Sequence, residues 1–370
     1  MTTVDEVVRA TIARRGPIPI EEVVELALYH PQAGFYASGG RAGRAGDFLT
    51  SPEVGPLFGA VIARSLDTSW REAGEPQTFV VVEAGAGPGT LARAVLAAEP
   101  ACARALRYVL VERSAAQRAL HAEHLPLEDA SEAFASMPDV DDDHEGSRAG
   151  MPPGPIVVSL ADLPRLPGPT VVLANELLDN LPFGLVEQTE AGWAEVRLAL
   201  DGGSLVEVLV PAQAFPEVAV AVGARVPVAA AVNVWVREAI ELAGPGGRVV
   251  AIDYASTSAH LATRPWTDWV RTYRRHERGD APFELLGTQD ITCEVALDQI
   301  VPGPTVSTQA DWLRRHGIED LVADGRRIWH ERAAIGDLAA MRARSRIVEA
   351  EALLDPAGLG AFQVLEWPGS

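Results

Sequence analysis

Three glycines at alternate positions follow an acid in the segment Glu83-Ala84-Gly85-Ala86-Gly87-Pro88-Gly89. The segment lies between an apolar run, Phe79 to Val82, and a helix-compatible stretch that begins at Leu91. A strand, a glycine-rich turn and a helix start form a nucleotide-cofactor loop, because glycine lets the backbone turn tightly and approach a ligand. The segment therefore predicts a cofactor site at the end of a strand.

The spacing of these glycines bears on which cofactor binds. The dinucleotide fingerprint G-x-G-x-x-G/A requires glycine or alanine at position 90, where this chain has Thr90. A nicotinamide-dependent oxidoreductase is therefore disfavoured. The pattern instead resembles the S-adenosylmethionine loop of seven-strand methyltransferases, in which an acid, here Glu83, faces the positively charged amino-acid end of the ligand. The alternative is an ordinary α/β turn with an exposed glutamate.

Glu112 ends a second buried-strand pattern, Tyr108 to Val111, and lies 23 residues after Gly89. A carboxylate at the tip of the second strand can accept hydrogen bonds from both ribose hydroxyls of NAD or of S-adenosylmethionine. Glu112 therefore predicts a ligand that contains adenosine, but it does not distinguish NAD from S-adenosylmethionine. We expect this strand-tip carboxylate to be largely solvated in the absence of ligand.

An amide and two carboxylates, Asn175, Glu176 and Asp179, follow a further strand pattern from Val171 to Ala174. Ligands of open α/β sheets bind at the carboxyl ends of strands, so these groups lie where a transferred group is expected. If the segment is helical, Glu176 and Asp179 share one face and can bind, orient and polarise a guanidinium. The alternative is that Asn175 and Asp179 cap a helix and Glu176 faces solvent.

Composition and charge disfavour several kinds of partner and of structural feature. The chain has 370 residues and a formal net charge of -20, from 31 basic and 51 acidic residues. This charge disfavours nucleic acid as a partner and suits a cationic one, the alternative being that it serves solubility alone. Cys102 and Cys293 form neither a disulfide framework nor a metal cluster, and His276, His316 and His330 lack metal-ligand spacing, so we expect no metal and a reducing cytoplasm. No signal peptide is evident, and Arg225, Pro227 and Asn233 interrupt the longest apolar stretch, so no membrane span is predicted.

The order of predicted elements indicates an α/β fold. Helical patterns dominate residues 1–75, and strands are predicted near 79–83, 108–112, 155–159, 170–174 and 248–253, alternating with helices as a parallel sheet requires. We predict an N-terminal helical cover over residues 1–75 and a Rossmann-like domain over residues 76–370. Two insertions interrupt this domain. One, at about 126–154, carries an acidic loop, and the other, at about 183–235, carries an antiparallel hairpin around Asp201-Gly202-Gly203.

Six segments of the chain resemble the MidA-like S-adenosylmethionine-dependent methyltransferases. The first and third are typical of that family, whereas the glycine loop is shared with many methyltransferases. The resemblance covers nearly the whole chain in order. The segments are Gly46 to Glu53, Glu83 to Leu91, Ala174 to Pro182, Ile252 to Tyr254, Asp290 to Thr292 and Leu353 to Phe362.

This resemblance implies a Rossmann-like seven-strand methyltransferase sheet and methylation of a protein arginine. Mitochondrial members of the family are complex I assembly factors, so a respiratory complex subunit is an implied partner. A non-catalytic cofactor-binding assembly factor and a small-molecule methyltransferase are the alternatives. Asp47 is implied on the acceptor side, together with Asn175, Glu176 and Asp179. The implied cofactor residues are Glu83, Gly85, Ala86, Gly87, Gly89 and Glu112, with Ser159 and Leu160 beside the adenine.

Overall fold

The computed structural model describes residues 2–37, 50–134, 153–166, 168–212, 215, 218–274, 277–279 and 281–370. Strands and helices alternate along this part of the chain, and the predicted α/β class is confirmed. The strands are β1 (Ile18–Pro19), β2 (Phe79–Ala84), β3 (Leu106–Val111), β4 (Ile156–Leu160), β5 (Thr170–Asn175), β6 (Gly184–Thr189), β7 (Gly192–Asp201), β8 (Ser204–Pro211), β9 (Arg225–Val228), β10 (Arg248–Asp253), β11 (Ala255–Ser256), β12 (Val270–Arg274), β13 (Glu277–Arg278), β14 (Asp290–Cys293), β15 (Val295–Ala296), β16 (Thr305–Thr308) and β17 (Gln363–Pro368).

The α-helices vary from one turn to nearly five turns in length. They are α1 (Val4–Arg15), α2 (Ile20–Tyr29), α3 (Ser51–Val54), α4 (Pro56–Glu72), α5 (Thr90–Ala97), α6 (Ala115–His124), α7 (Ala130–Phe134), α8 (Ala230–Ala243), α9 (Ser258–Leu261), α10 (Trp266–Trp269), α11 (Gln309–Arg315), α12 (Ile318–Arg332) and α13 (Leu338–Leu353). Within the described ranges, none of these helices is both long and apolar enough to cross a membrane.

The chain divides into two compact units. The first unit contains residues 1–48, 176–238 and 253–304, and the second contains residues 49–175, 239–252 and 305–370. This division differs from the predicted cover over residues 1–75 and domain over residues 76–370. The short strand β1 pairs with β7, which joins the N-terminal residues to the first unit. Helix α4, by contrast, buries Leu57 and Phe58 in the core of the second unit.

A seven-stranded sheet forms the second unit, in the order β16-β17-β10-β5-β2-β3-β4. Strands β10, β5, β2, β3 and β4 run parallel, and β16 pairs with β17 in the antiparallel sense. Every residue of β2 and β3 is buried, as expected for parallel strands covered on both faces. Strand β2 lies between β5 and β3, so the chain order reverses at its carboxyl end, where open α/β sheets bind ligands.

The first unit contains a five-stranded antiparallel sheet in which β1, β7, β6 and β9 are neighbours and β8 pairs with β7. The predicted hairpin is confirmed: β7 and β8 pair in register from Ala194 opposite Pro211 to Asp201 opposite Ser204. Gly202 and Gly203 connect the two strands with φ angles of +56° and +88°, which glycine adopts at little cost. The hairpin is thus one part of a larger sheet.

Candidate cofactor and acceptor sites

The glycine loop of the second unit follows β2 and leads directly into α5. Gly85, Gly87 and Gly89 have φ angles of +68°, +53° and +82°, in the left-handed region that favours glycine. A Cβ built on Gly87 would meet no atom within 4 Å, so space is open beside this residue. Ala86 is buried, and its N–H donates to the carbonyl of Val111 at 3.0 Å. A loop with bare backbone next to open space fits a ligand that is bound through main-chain groups.

Glu83, in β2, is buried rather than exposed at the end of its strand. Its side chain is 4% exposed, and its Oε2 accepts a hydrogen bond from the Tyr108 hydroxyl at 2.7 Å. Burial raises the pKa of Glu83 to about 7, although the Tyr108 hydroxyl and the Ala92 N–H both lower it. The alternative of an exposed glutamate is therefore wrong. Tyr108 was not among the predicted site residues.

Glu112 follows β3 and holds the glycine loop directly. Its Oε2 accepts from the Gly87 N–H at 2.9 Å, and its Oε1 accepts from the Ser114 N–H at 2.7 Å. The side chain is half-buried and both of its carboxylate oxygens accept backbone N–H groups, so it is not largely solvated, contrary to our expectation, and burial raises its pKa. The ribose role of Glu112 stays a prediction. In this structure the residue also holds the glycine loop, through its hydrogen bond from the Gly87 N–H.

We expect Glu112→Ala to weaken S-adenosylmethionine binding by about 1–3 kcal/mol, the scale of a lost charge-assisted hydrogen-bond acceptor. The melting temperature without ligand should also fall, because the N–H groups of Gly87 and Ser114 lose their acceptor. Calorimetric titration and thermal melting measure the two effects. Glu123→Ala, an exposed acid of α6, is the control. A lower melting temperature with unchanged affinity for S-adenosylmethionine would mean that Glu112 has only a structural role.

Ser159 and Leu160 lie at the carboxyl end of β4, and both are half-buried. The Ser159 hydroxyl is 2.8 Å from Nδ1 of His121, whose Nε2 is 2.7 Å from the Gly87 carbonyl oxygen. Leu160 accepts the Glu112 N–H through its carbonyl at 3.0 Å. Sequence patterns missed His121, because it lies on α6 and 34 residues from Gly87. The positions beside an adenine stay predictions for Ser159 and Leu160.

The candidate acceptor residues begin where β5 ends. Asn175 is the last residue of β5 and pairs in register with Ile252 of β10. Glu176, the first residue of the first unit after β5, has a φ of +51°. Left-handed backbone is costly for a residue other than glycine, and such strain is found preferentially at functional sites. The strain at Glu176 therefore supports a functional role for this residue.

Asp179 lies in a buried acid cluster of the first unit, within a short 3₁₀ turn, Leu178–Asn180. It is 1% exposed, and its Oδ2 accepts a hydrogen bond from the Tyr254 hydroxyl. Its Oδ1 is buried and has no hydrogen-bond partner among the described residues. Burial raises the pKa of Asp179 to about 6, while the Tyr254 hydroxyl lowers it.

Asp253 organises the same cluster from the end of β10. Its Oδ2 accepts from the N–H groups of Leu178 and Asp179 at 2.9 and 3.2 Å, and its Oδ1 accepts from that of Tyr254 at 2.9 Å. Burial raises the pKa of Asp253 well above its ordinary value, and repulsion from Asp179 and Glu176 raises it further. Asp179 and Glu176 are therefore close enough to Asp253 to raise its pKa, and the positive charge of Arg271 lowers the pKa of Asp179.

Two interpretations of this segment are wrong. Glu176 and Asp179 do not share a helical face, because Glu176 has left-handed backbone and the turn begins at Leu178. The capping alternative also fails, since Asn175 belongs to a strand and Asp179 is buried. Hydrogen bonds to Asp253, rather than helical spacing, position this segment. Asp47 and the acidic run of residues 139–145 lie outside the described residues.

The chain is similar to a family of methyltransferases and to several curated proteins. A family model described as "Putative S-adenosyl-L-methionine-dependent methyltransferase" matches residues 61–305. Curated relatives are named protein arginine methyltransferase NDUFAF7, mitochondrial. The mouse protein is 30% identical over 77% of this chain and 65% of its own length. The zebrafish (Danio rerio) protein is 28% identical over 83% of this chain and 75% of its own length. A Drosophila melanogaster homologue is 33% identical over 51% of this chain. This chain spans 43% of the Drosophila protein and 65% of the mouse protein, less than two thirds of either.

Solved structures agree with the family match. A Burkholderia thailandensis protein bound to S-adenosyl-homocysteine has a TM-score of 0.75 and 26% identity, covering 98% of this chain and 91% of that chain. A native structure of a protein of the same superfamily and organism has a TM-score of 0.76 and 25% identity, covering 99% and 91%. The resemblance to MidA-like methyltransferases and the S-adenosylmethionine cofactor are both confirmed.

The predicted cytoplasmic location is wrong, because the curated relatives are named mitochondrial. The prediction depended on Cys102 and Cys293, which are both free and buried. Buried free thiols indicate only that these residues form no disulfide. They do not distinguish one reducing compartment from another.

Proposed function

Since the chain belongs to the family of S-adenosyl-L-methionine-dependent methyltransferases, we propose that it methylates an arginine of a protein substrate. The observation that supports an arginine best is the acid cluster around Asp179. A buried carboxylate oxygen without a hydrogen-bond partner, in a cluster of described residues where three acids outnumber the one nearby cation, Arg271, suits a ligand that carries both positive charge and N–H donors. The names of the curated relatives point to the same acceptor.

Cofactor binding is assigned to the glycine loop and Glu112 of the second unit. We assign the nucleoside to the N–H groups of the loop and the carboxyl group of Glu112, and the amino-acid end to the carboxyl group of Glu83, as the family resemblance implies. S-adenosylmethionine supplies a methyl group on a positively charged sulfur. The left-handed glycines give the ligand access to the backbone that a side chain would block.

Acceptor orientation is assigned to Glu176 and Asp179, with Asn175 beside them in the chain. Asp179 accepts from the Tyr254 hydroxyl through one oxygen, and we propose that its buried Oδ1 accepts from a guanidinium N–H once the acceptor has entered the site. A guanidinium nitrogen must lose a proton as it gains a methyl group. Asp179, whose pKa is raised to about 6, can take that proton near neutral pH. Asp47 is proposed on the same side from family resemblance, and a respiratory complex subunit as the substrate stays a prediction.

A methyl-transfer assay on extract of the source cells tests this function. The purified chain is incubated with extract and S-adenosylmethionine labelled in its methyl group, and labelled molecules are identified by mass spectrometry. We expect label on an arginine of one or a few proteins. Label on a small molecule alone would replace the proposed substrate class. Absence of label, with S-adenosylmethionine bound in a titration, would favour the non-catalytic assembly factor.

A further inference from the structure

One residue of the glycine loop, Gly87, is held through both its N–H and its carbonyl by side chains of the second unit. The Gly87 N–H donates to Glu112 at 2.9 Å, and the Gly87 carbonyl oxygen is 2.7 Å from Nε2 of His121. The other ring nitrogen of His121, Nδ1, is 2.8 Å from Oγ of Ser159. Glu112 follows β3 and Ser159 is in β4, so this chain of contacts connects the loop after β2 to the next two strands on one side of the sheet.

The partners of His121 determine its tautomer. A carbonyl oxygen only accepts hydrogen bonds, so Nε2 carries the proton and donates to Gly87. In the neutral ring Nδ1 then accepts from the Ser159 hydroxyl, and both ring nitrogens are satisfied. The ring is fully buried, and burial lowers the pKa of His121, as does the positive charge of Arg118, although the hydrogen bond to the Gly87 carbonyl raises it. Neutral imidazole is therefore the form present at neutral pH.

Gly87 needs such support because little else contacts it on its open side. No atom lies within 4 Å of the position of a Cβ on this residue, so packing does not restrain the peptide there. Glycine also has the largest conformational freedom of any residue, and ordering it during ligand binding costs free energy. Hydrogen bonds at both ends of the residue reduce that cost by holding the loop in place beforehand.

We propose that His121 is a positioning residue for the cofactor, which holds the Gly87 carbonyl so that the loop is ordered before S-adenosylmethionine binds. Ser159 supports it by keeping the ring in the tautomer that donates to Gly87. His121 does not need to touch the ligand in this role. The expected consequence of losing it is weaker cofactor binding in a protein that still folds.

Two amide substitutions separate the two contacts of the ring. The side-chain nitrogen of glutamine can replace Nε2, and that of asparagine can replace Nδ1. We expect His121→Gln to keep the affinity for S-adenosylmethionine within about 3-fold, and His121→Asn to weaken it by about 10-fold or more, the scale of one lost hydrogen bond in a ligand site. His124→Asn, an exposed residue on the same helix, is the matched control and should bind as the parent chain does.

Isothermal titration with S-adenosylmethionine and S-adenosylhomocysteine, together with melting curves without ligand, makes the comparison. Rescue by glutamine but not by asparagine supports the proposed role. Equal affinity in all variants would overturn it. Equal weakening in both His121 variants, in step with a fall in melting temperature, would also overturn it and leave a packing role. If His121→Asn fails to fold, Ser159→Ala replaces it. Unchanged affinity in both Ser159→Ala and His121→Gln would then count against the proposal. Binding is measured without any acceptor, so the result does not depend on the proposed substrate.

Discussion

Replacing Gly87 by valine is expected to abolish cofactor binding while the protein stays folded. Gly87 has a φ of +53°, which a β-branched residue does not adopt without strain, and the space beside it is open. Valine therefore changes the loop backbone or extends its side chain into the space where the ligand is expected. Isothermal titration should detect no binding of S-adenosylmethionine at concentrations up to about 1 mM.

Gly74→Val is the matched control for this experiment. Gly74 also belongs to the second unit, has a φ of +82° and has no atom within 4 Å of a Cβ position, but it follows α4 rather than β2. The control should show a similar backbone strain with unchanged affinity. Unchanged affinity in Gly87→Val would mean that the cofactor binds elsewhere. Equal loss in both variants would attribute the effect to unfolding.

Glu176→Gln and Asp179→Asn are expected to reduce methylation of the acceptor by about 10²-fold or more, with S-adenosylmethionine affinity kept within a few-fold. Each variant keeps the shape of the side chain and removes its negative charge, so the guanidinium loses its partner. Asp179→Asn should fold normally, because it also removes a charge that repels Asp253 and keeps an oxygen for the Tyr254 hydroxyl.

Initial methylation rates and cofactor titrations are measured in parallel for each variant. Asp201→Asn is the control for net charge, since it removes one exposed carboxylate at the end of β7. Glu176→Gly adds a second test: it relieves the left-handed strain, so it should not lower the melting temperature although it abolishes the charge. Full activity in both amide variants would contradict acceptor binding by these carboxylates. Parallel loss of cofactor affinity would assign them to the cofactor instead.

The sequence by itself predicted the features whose signals are local. Apolar runs followed by a polar or acidic residue predicted β2, β3, β5 and β10 to within two residues, because a strand buried on both faces needs a continuous apolar segment. The alternating glycines predicted the loop, because only residues tolerant of left-handed backbone fit it. The Gly202-Gly203 turn predicted its hairpin for the same reason.

Tertiary structure alone decided how these pieces are combined. The contacts of Glu83 with Tyr108, Gly87 with His121, and Asp253 with Leu178 join residues that are 25, 34 and 75 positions apart. No spacing rule relates such residues, since their separation depends on the lengths of the intervening helices and loops. The position of Asp179 is likewise fixed by hydrogen bonds to Asp253 and Tyr254, and no local pattern indicates the left-handed backbone of Glu176. A local pattern can indicate which residue types carry chemistry, but their environment is set by groups that only folding brings close.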